Sequence, residues 1–116
     1  MRIHHIALRT RDVRRLRAFY EDGLGLAVTR ENSEESVWLD AGGTILMLEP
    51  SEEAEPGIAP RSRELIAFAV VPKDREDLEA RLASHGIAIE ARTDFTLYFR
   101  DPDGRRIGLS HYPERA

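Results

Sequence analysis

The chain has 116 residues, 41% apolar and 33% charged, with a formal net charge of -4 and no cysteine. A single domain is expected at this length, long enough to bury roughly two thirds of its unfolded surface. Lack of cysteine excludes disulfides, thiolate metal sites and cysteine nucleophiles. The acidic balance disfavours nucleic acid, and no apolar run nears the roughly 18 residues of a membrane span. The first residues enter an alternating segment without a signal-peptide pattern, so a cytoplasmic protein with no membrane partner is expected.

In chain order, "IHHIALR" alternates, with Ile6 and Leu8 on one face and His5, Ala7 and Arg9 on the other. Asp12 is placed to cap a helix over about 13–22, ended by Gly23 or Gly25. Arg14, Arg15 and Arg17 then form its solvated face rather than a basic patch. Three strands are predicted near 26–32, 36–41 and 44–49, the last two joined by Gly42-Gly43. The stretch from Pro50 to Pro60, rich in Glu and Pro, reads as a linker.

The pattern then restarts. "LIAFAVV" at 65–71 aligns with "HIALRTR" at 5–11, Asp74 is placed to cap a second helix ended by Gly86, and strands follow near 87–92, 95–100 and 105–111. Asp101-Pro102-Asp103-Gly104 is the turn of the last hairpin. The reading is α+β: two tandem βαβββ modules (about 1–50 and 64–116, linker 51–63) forming curved mixed sheets around a cavity, helices outermost.

Alternation sorts the side chains. Ile6, Leu8, Leu46, Leu48, Ile66, Phe68, Val70, Ile107 and Leu109 form an aliphatic layer suited to pack under the helices. The opposite layer mixes His5, Ala7, Arg9, Met47, Glu49, Leu65, Ala67, Ala69, Tyr98, Arg100, Gly108 and Ser110, which suits a ligand-binding wall better than a core. Trp38 is either part of that wall, part of the core or part of a dimer interface. Arg100 can pair with Asp103 or Glu49, or bind a carboxylate or phosphate bidentately. Of the other histidines, His4 is expected to point toward the helix layer, His85 to favour a helix C-terminus, and His111, near the chain end, to be exposed.

"HIALRTRDVRRLRAFYEDGLGL", its second copy and "YFRDPDGRRIGL" together resemble the vicinal oxygen chelate superfamily, whose members include glyoxalase I, extradiol dioxygenases and bleomycin-resistance proteins. The resemblance covers essentially the whole chain, and it implies pairing into a homodimer, as do curved sheets with uncovered edge strands. In the glyoxalase-like branch, two imidazoles and two carboxylates from the first and last strand of each module hold a zinc, nickel, manganese or iron ion. Carried over, those positions are His5, Met47, Leu65 and Gly108, so only one ligand remains. Tyr98 matches a tyrosine that resembles the active-site residue of the extradiol enzymes.

The leading expectation is therefore a protein that binds a small organic molecule without a metal cofactor, as bleomycin-type resistance proteins do by sequestration. Arg9, Trp38, Met47, Leu65, Arg100, Gly108 and Ser110 would contact that ligand. The alternative is a metal-dependent lyase, epimerase or dioxygenase with a displaced site built from His5, Glu49 and one further group. A third reading is cofactor-free acid–base catalysis by His5 with Glu49 or Tyr98.

Overall fold

The computed structural model describes residues 1–32 and 35–115. The chain divides into two compact units, Met1–Gly57 and Ile58–Ala116, and the boundary falls inside the stretch read as a linker.

In the first unit, β1 (His5–Thr10) is followed by α1 (Val13–Arg17), β2 (Ala27–Asn32), β3 (Ser36–Ala41) and β4 (Thr44–Pro50). The Asp12 carboxylate caps α1 by accepting from the Arg15 backbone N–H at 3.0 Å. The predicted helix does not stay α-helical to its end. From Ala18 to Gly23 it widens into a π turn, closed by the Leu24 N–H donating to the Phe19 carbonyl at 3.1 Å. Leu16, Phe19, Tyr20 and Gly23 are all buried on this helical segment. The exposed Arg14 and Arg15 agree with the solvated-face reading, while Arg17 pairs with Glu21 and Glu31.

The strands form one mixed sheet, ordered β1-β4-β3-β2, with β1 parallel to β4 and the other neighbours antiparallel. Parallel pairing of the first and last strands requires a long crossover, which the helical segment and the β2–β3 hairpin supply. Leu8, Val37, Leu39, Leu46 and Leu48 are buried at 5% exposure or less, together with Leu16 and Tyr20 of the helical segment.

The second unit repeats this order. It contains β5 (Leu65–Ala69), a 3-10 turn at Pro72–Asp74, α2 (Arg75–Ser84), β6 (Ala91–Arg92), β7 (Thr96–Arg100) and β8 (Arg106–Ser110). Its sheet order is β5-β8-β7-β6, with β5 parallel to β8. Leu82, Leu97, Phe99, Ile107 and Leu109 are its buried apolar residues. Two local expectations are corrected. Asp74 precedes α2 but its side chain caps nothing, because it is already in helical conformation at the end of the 3-10 turn. The strand read at 87–92 is reduced to two paired residues, Ala91 and Arg92.

The β7–β8 turn shows why that sequence is specific. Asp101, 4% exposed, accepts at Oδ1 from the backbone N–H groups of Asp103 at 2.9 Å and Arg105 at 3.1 Å. Its Oδ2 accepts from the Arg105 guanidinium at 3.1 Å, and Gly104 takes φ +91, which favours glycine. The turn thereby fixes the register that places Arg100 opposite Arg106. Among the described residues no helix is long and apolar enough to cross a membrane.

Candidate functional site

In each unit one sheet face carries the apolar packing, and the other bears the mixed side chains selected by alternation. Ladder registers give the layout of this second, open face. In the first unit His5 lies beside Ile45, Ala7 beside Met47 and Arg9 beside Glu49, while across the next ladder Trp38 lies beside Met47 and Asp40 beside Ile45. In the second unit Leu65 lies beside Arg106, Ala67 beside Gly108 and Ala69 beside Ser110, with Tyr98 opposite Gly108 and Arg100 opposite Arg106.

His5, Ala7 and Arg9 are exposed, and Trp38, Met47 and Glu49 are half-buried. His5 sits edge-on to His4, their Nδ1 atoms 2.9 Å apart, so one ring donates to the other. His4 is therefore exposed beside His5 rather than turned to the helix layer. The Arg9 guanidinium makes a two-pronged ion pair with Glu55, in the stretch read as a plain linker. Hydrogen bonding to Arg9 lowers the Glu55 carboxyl to about 2, and the same pairing raises Arg9. Arg11 donates to the Glu53 carbonyl at 2.9 Å and Ser51 donates to the Thr10 carbonyl at 2.8 Å, so this stretch is folded back onto the end of β1.

Trp38 is resolved onto the open face, between core residues Val37 and Leu39. Arg30 stacks over its ring at 5.0 Å, and its indole Nε1 is buried with no acceptor. A buried donor left unpaired costs about 1–3 kcal/mol, so water or a ligand acceptor is the ordinary remedy.

Glu49 shares its face with His5 but stands four residues beyond His5's partner Ile45 on β4. That is about 13 Å along a strand. Two side chains perpendicular to the sheet do not meet at one ion over that span unless both lie down along it. Among the described residues no cluster of three or more histidines and carboxylates could hold a metal.

In the second unit Leu65 is 42% exposed and Gly108 is buried. Both ladders pass through Gly108 without a shift, so it is not a bulge. A Cβ there would meet Thr96 Cγ2 at 3.4 Å, and Ala67 and Leu65 side-chain carbons at 3.5 Å, which is ordinary contact. The backbone does not require glycine here; its effect is to lower the floor beside Tyr98 and Leu65. Ser110 Oγ accepts from Thr96 Oγ1 at 2.9 Å and from the Tyr112 N–H at 3.3 Å.

Arg100 does not pair with Asp103. Asp103 is taken by Arg105, and Arg100 Nε donates instead to Glu90 at 2.9 Å, with its Nη1 donating to the carbonyls of Ser62 and Gly104. Arg106 Nε donates to the other Glu90 oxygen at 3.2 Å, and its guanidinium lies 4.2 Å over the Tyr98 ring. Arg100 first, then Arg106, holds the Glu90 carboxyl below its ordinary range.

Glu90 and Arg106 were not among the candidate residues. Arg106 was accessible from the turn, because a hairpin closed over 101–105 puts it opposite Arg100. Glu90 was not, since it precedes a strand too short to carry a period.

His111 overturns the expectation of exposure. It is 4% exposed, takes a hydrogen bond at Nε2 from Arg75 at 3.1 Å, and donates from Nδ1 to the Glu114 carbonyl. His85 closes α2 as expected, its Nδ1 2.9 Å from the Arg81 carbonyl. A shallow groove of about 540 Å³ runs along α2 and includes none of the open-face residues.

Comparison with known proteins bears on this layout. The family model for the Glyoxalase/Bleomycin resistance protein/Dioxygenase superfamily matches residues 2–109. A glyoxalase/dioxygenase from Nostoc punctiforme is 28% identical over 97% of this chain and 92% of its own, with a TM-score of 0.80. A fosfomycin resistance protein, FosX, from Listeria monocytogenes, solved with manganese(II) and a dihydroxypropylphosphonic acid, is 16% identical, covering 95% of this chain and 89% of its own at a TM-score of 0.80. A lactoylglutathione lyase from Agrobacterium tumefaciens is 20% identical over 94% and 92% of the two chains, at a TM-score of 0.73. No curated protein sequence matches the chain.

Proposed function

The chain belongs to the glyoxalase/bleomycin resistance protein/dioxygenase superfamily, that is, the vicinal oxygen chelate superfamily, and from that premise we propose that it binds a small organic molecule on its open sheet faces without a metal ion. One observation carries this reading: the chemistry of the four strand positions. His5 offers an imidazole, but Met47, Leu65 and Gly108 offer no nitrogen or carboxylate oxygen. A single imidazole does not define a site for zinc, nickel, manganese or iron. The inherited metal does not fit this donor set.

What remains on the open faces suits an organic ligand. Trp38 and Met47 on the first unit's face, and Leu65 and Tyr98 on the second's, supply apolar and aromatic surface. Sequestration of the kind practised by bleomycin-type resistance proteins needs nothing more. The exposed Leu65 and the outer edges of β1 and β5 also support pairing into a homodimer.

The test combines two measurements on protein purified without added metal. Elemental analysis should find no stoichiometric divalent ion, and zinc, nickel, manganese and chelator should leave the Tm unchanged. Native mass spectrometry should reveal a retained small molecule whose removal changes the emission of Trp38, the sole tryptophan. A stoichiometric metal, with a metal-induced rise in Tm abolished by His5→Ala, would overturn the proposal and favour the displaced site with Glu49.

A further inference from the structure

The structure assigns an oxyanion subsite to the open face of the second unit: Arg100 and Arg106 receive a carboxylate or phosphate group of the ligand, and Glu90 holds the place until it arrives. This deepens the binding function proposed above and rests on it for the identity of the face.

The argument begins with register. Arg100 and Arg106 are direct cross-strand partners, so their side chains leave the same face at adjacent positions. Like charges facing each other across a ladder destabilise a sheet. Something negative has to stand between them, and Glu90 does, one oxygen on each Nε. Yet one carboxylate between two guanidiniums leaves a net positive charge. The nearest acids in the adjoining turn, Asp101 and Asp103, are committed to Arg105.

Neither guanidinium is fully solvated. Arg106 is 15% exposed and Arg100 26%, so an added anion meets charges already partly stripped of water, where attraction is less screened. Arg106 engages Glu90 through Nε, and its guanidinium is held over the Tyr98 ring at 4.2 Å. A fork so held is pre-organised for bidentate recognition of an oxyanion. Leu65, the register neighbour of Arg106, is exposed next to it. Together these features fit an acid carrying an apolar or aromatic body. The equivalent partners in the first unit are Asp40 and Ile45, which cannot form such a site.

Glu90 could serve only to pin β6 to the sheet, and the variants separate the two roles. The probes are inorganic phosphate and benzoate, titrated by calorimetry at constant ionic strength against chloride. The wild type should bind both weakly but saturably. Glu90→Gln should bind several-fold tighter, because the internal competitor is gone. Arg106→Gln should weaken binding about tenfold or more, as expected for loss of hydrogen bonds to a charged group. Arg106→Lys keeps charge and packing while losing the fork, so it should also weaken benzoate; it remains informative if the glutamine variant does not fold. Equal affinity in wild type and Glu90→Gln, or no saturable binding above chloride in either, would overturn the subsite. A retained neutral organic ligand alongside failed benzoate binding would discard the subsite while leaving the broader reading intact.

Discussion

The two halves of this chain agree on the side that packs and differ on the side that does not. Superposing the ladders pairs Ile6 with Ile66, Leu8 with Phe68, Leu39 with Phe99, Leu46 with Ile107 and Leu48 with Leu109, all apolar. The same operation pairs His5 with Leu65, Asp40 with Arg100, Ile45 with Arg106, Met47 with Gly108 and Glu49 with Ser110. Trp38 and Tyr98 coincide as aromatics under a guanidinium, but the cation comes from β2 in one unit and from β8 in the other. A sheet face that packs under its own helix is constrained in volume and polarity. The open face has no such constraint within its unit, and there the copies have diverged in chemistry.

The strongest way to break this comparison is to ask whether the packed sides are energetically equivalent. Leu39 and Phe99 are both completely buried at matching positions. Leu39→Ala should cost about 2–5 kcal/mol and Phe99→Ala about 3–5 kcal/mol, measured by chemical denaturation. A loss below about 1 kcal/mol for either would mean that its unit is not packed as described.

One anchor sharpens the comparison because only the second unit has it. Pro50 stands where the second unit has His111, and it offers no side-chain hydrogen bond. His111→Ala removes the acceptor for Arg75 and the donor to the Glu114 carbonyl, so a loss of about 1–3 kcal/mol is expected. His111→Phe should recover part of it through contact with Phe95, now 6.0 Å away between ring centroids. Full stability in His111→Ala would make this anchor incidental.

These positions also mark how far the sequence could be read. Strand alternation and glycine turns located seven of the eight strands among the described residues to within about two residues, because a half-buried strand must alternate. His111 was misread as exposed from its nearness to the chain end, although it continues the parity of the buried Ile107 and Leu109. What could not be read were partners outside a repeating pattern. Glu55 lies in a stretch that looks merely solvated, and Glu90 precedes a two-residue strand, so neither ion pair leaves a periodic trace. The open faces were identifiable as mixed, but the charges neutralising them were not.

Two glycines of the second unit test turn against face. Gly104 at φ +91 requires the left-handed region, so Gly104→Ala should destabilise by about 1–2 kcal/mol. Gly108 has ordinary backbone and ordinary room for a Cβ, so Gly108→Ala should stabilise by about 0.4–1 kcal/mol. Thermal denaturation of both variants reads the difference in sign. Destabilisation by Gly108→Ala would return that glycine to a structural role.

The smallest expected effect concerns an ion pair found only in the first unit. Arg9 is matched by Ala69, so only the first unit can clamp the stretch after its last strand through a guanidinium at this position. Pairing with Arg9 lowers Glu55 from 4.5 to about 2. A carboxyl depressed on folding contributes stability that is complete above its unfolded value and is lost as pH falls toward the folded one. The clamp should therefore hold above about pH 4.5 and release between there and about pH 2, with a modest contribution because both partners are solvated and salt screens them. Protection of the Ser51 amide, which bonds to the Thr10 carbonyl, measured as the ratio of intrinsic to observed hydrogen exchange at each pH, should fall across that window. Glu90 is depressed as well, so the diagnostic is the difference from Arg9→Ala, in which the Ser51 amide should already be less protected at neutral pH and lose less protection on acidification. Identical profiles in the two proteins would leave Arg9 with no part in holding the stretch, and restore it to the open face as a group available to a ligand.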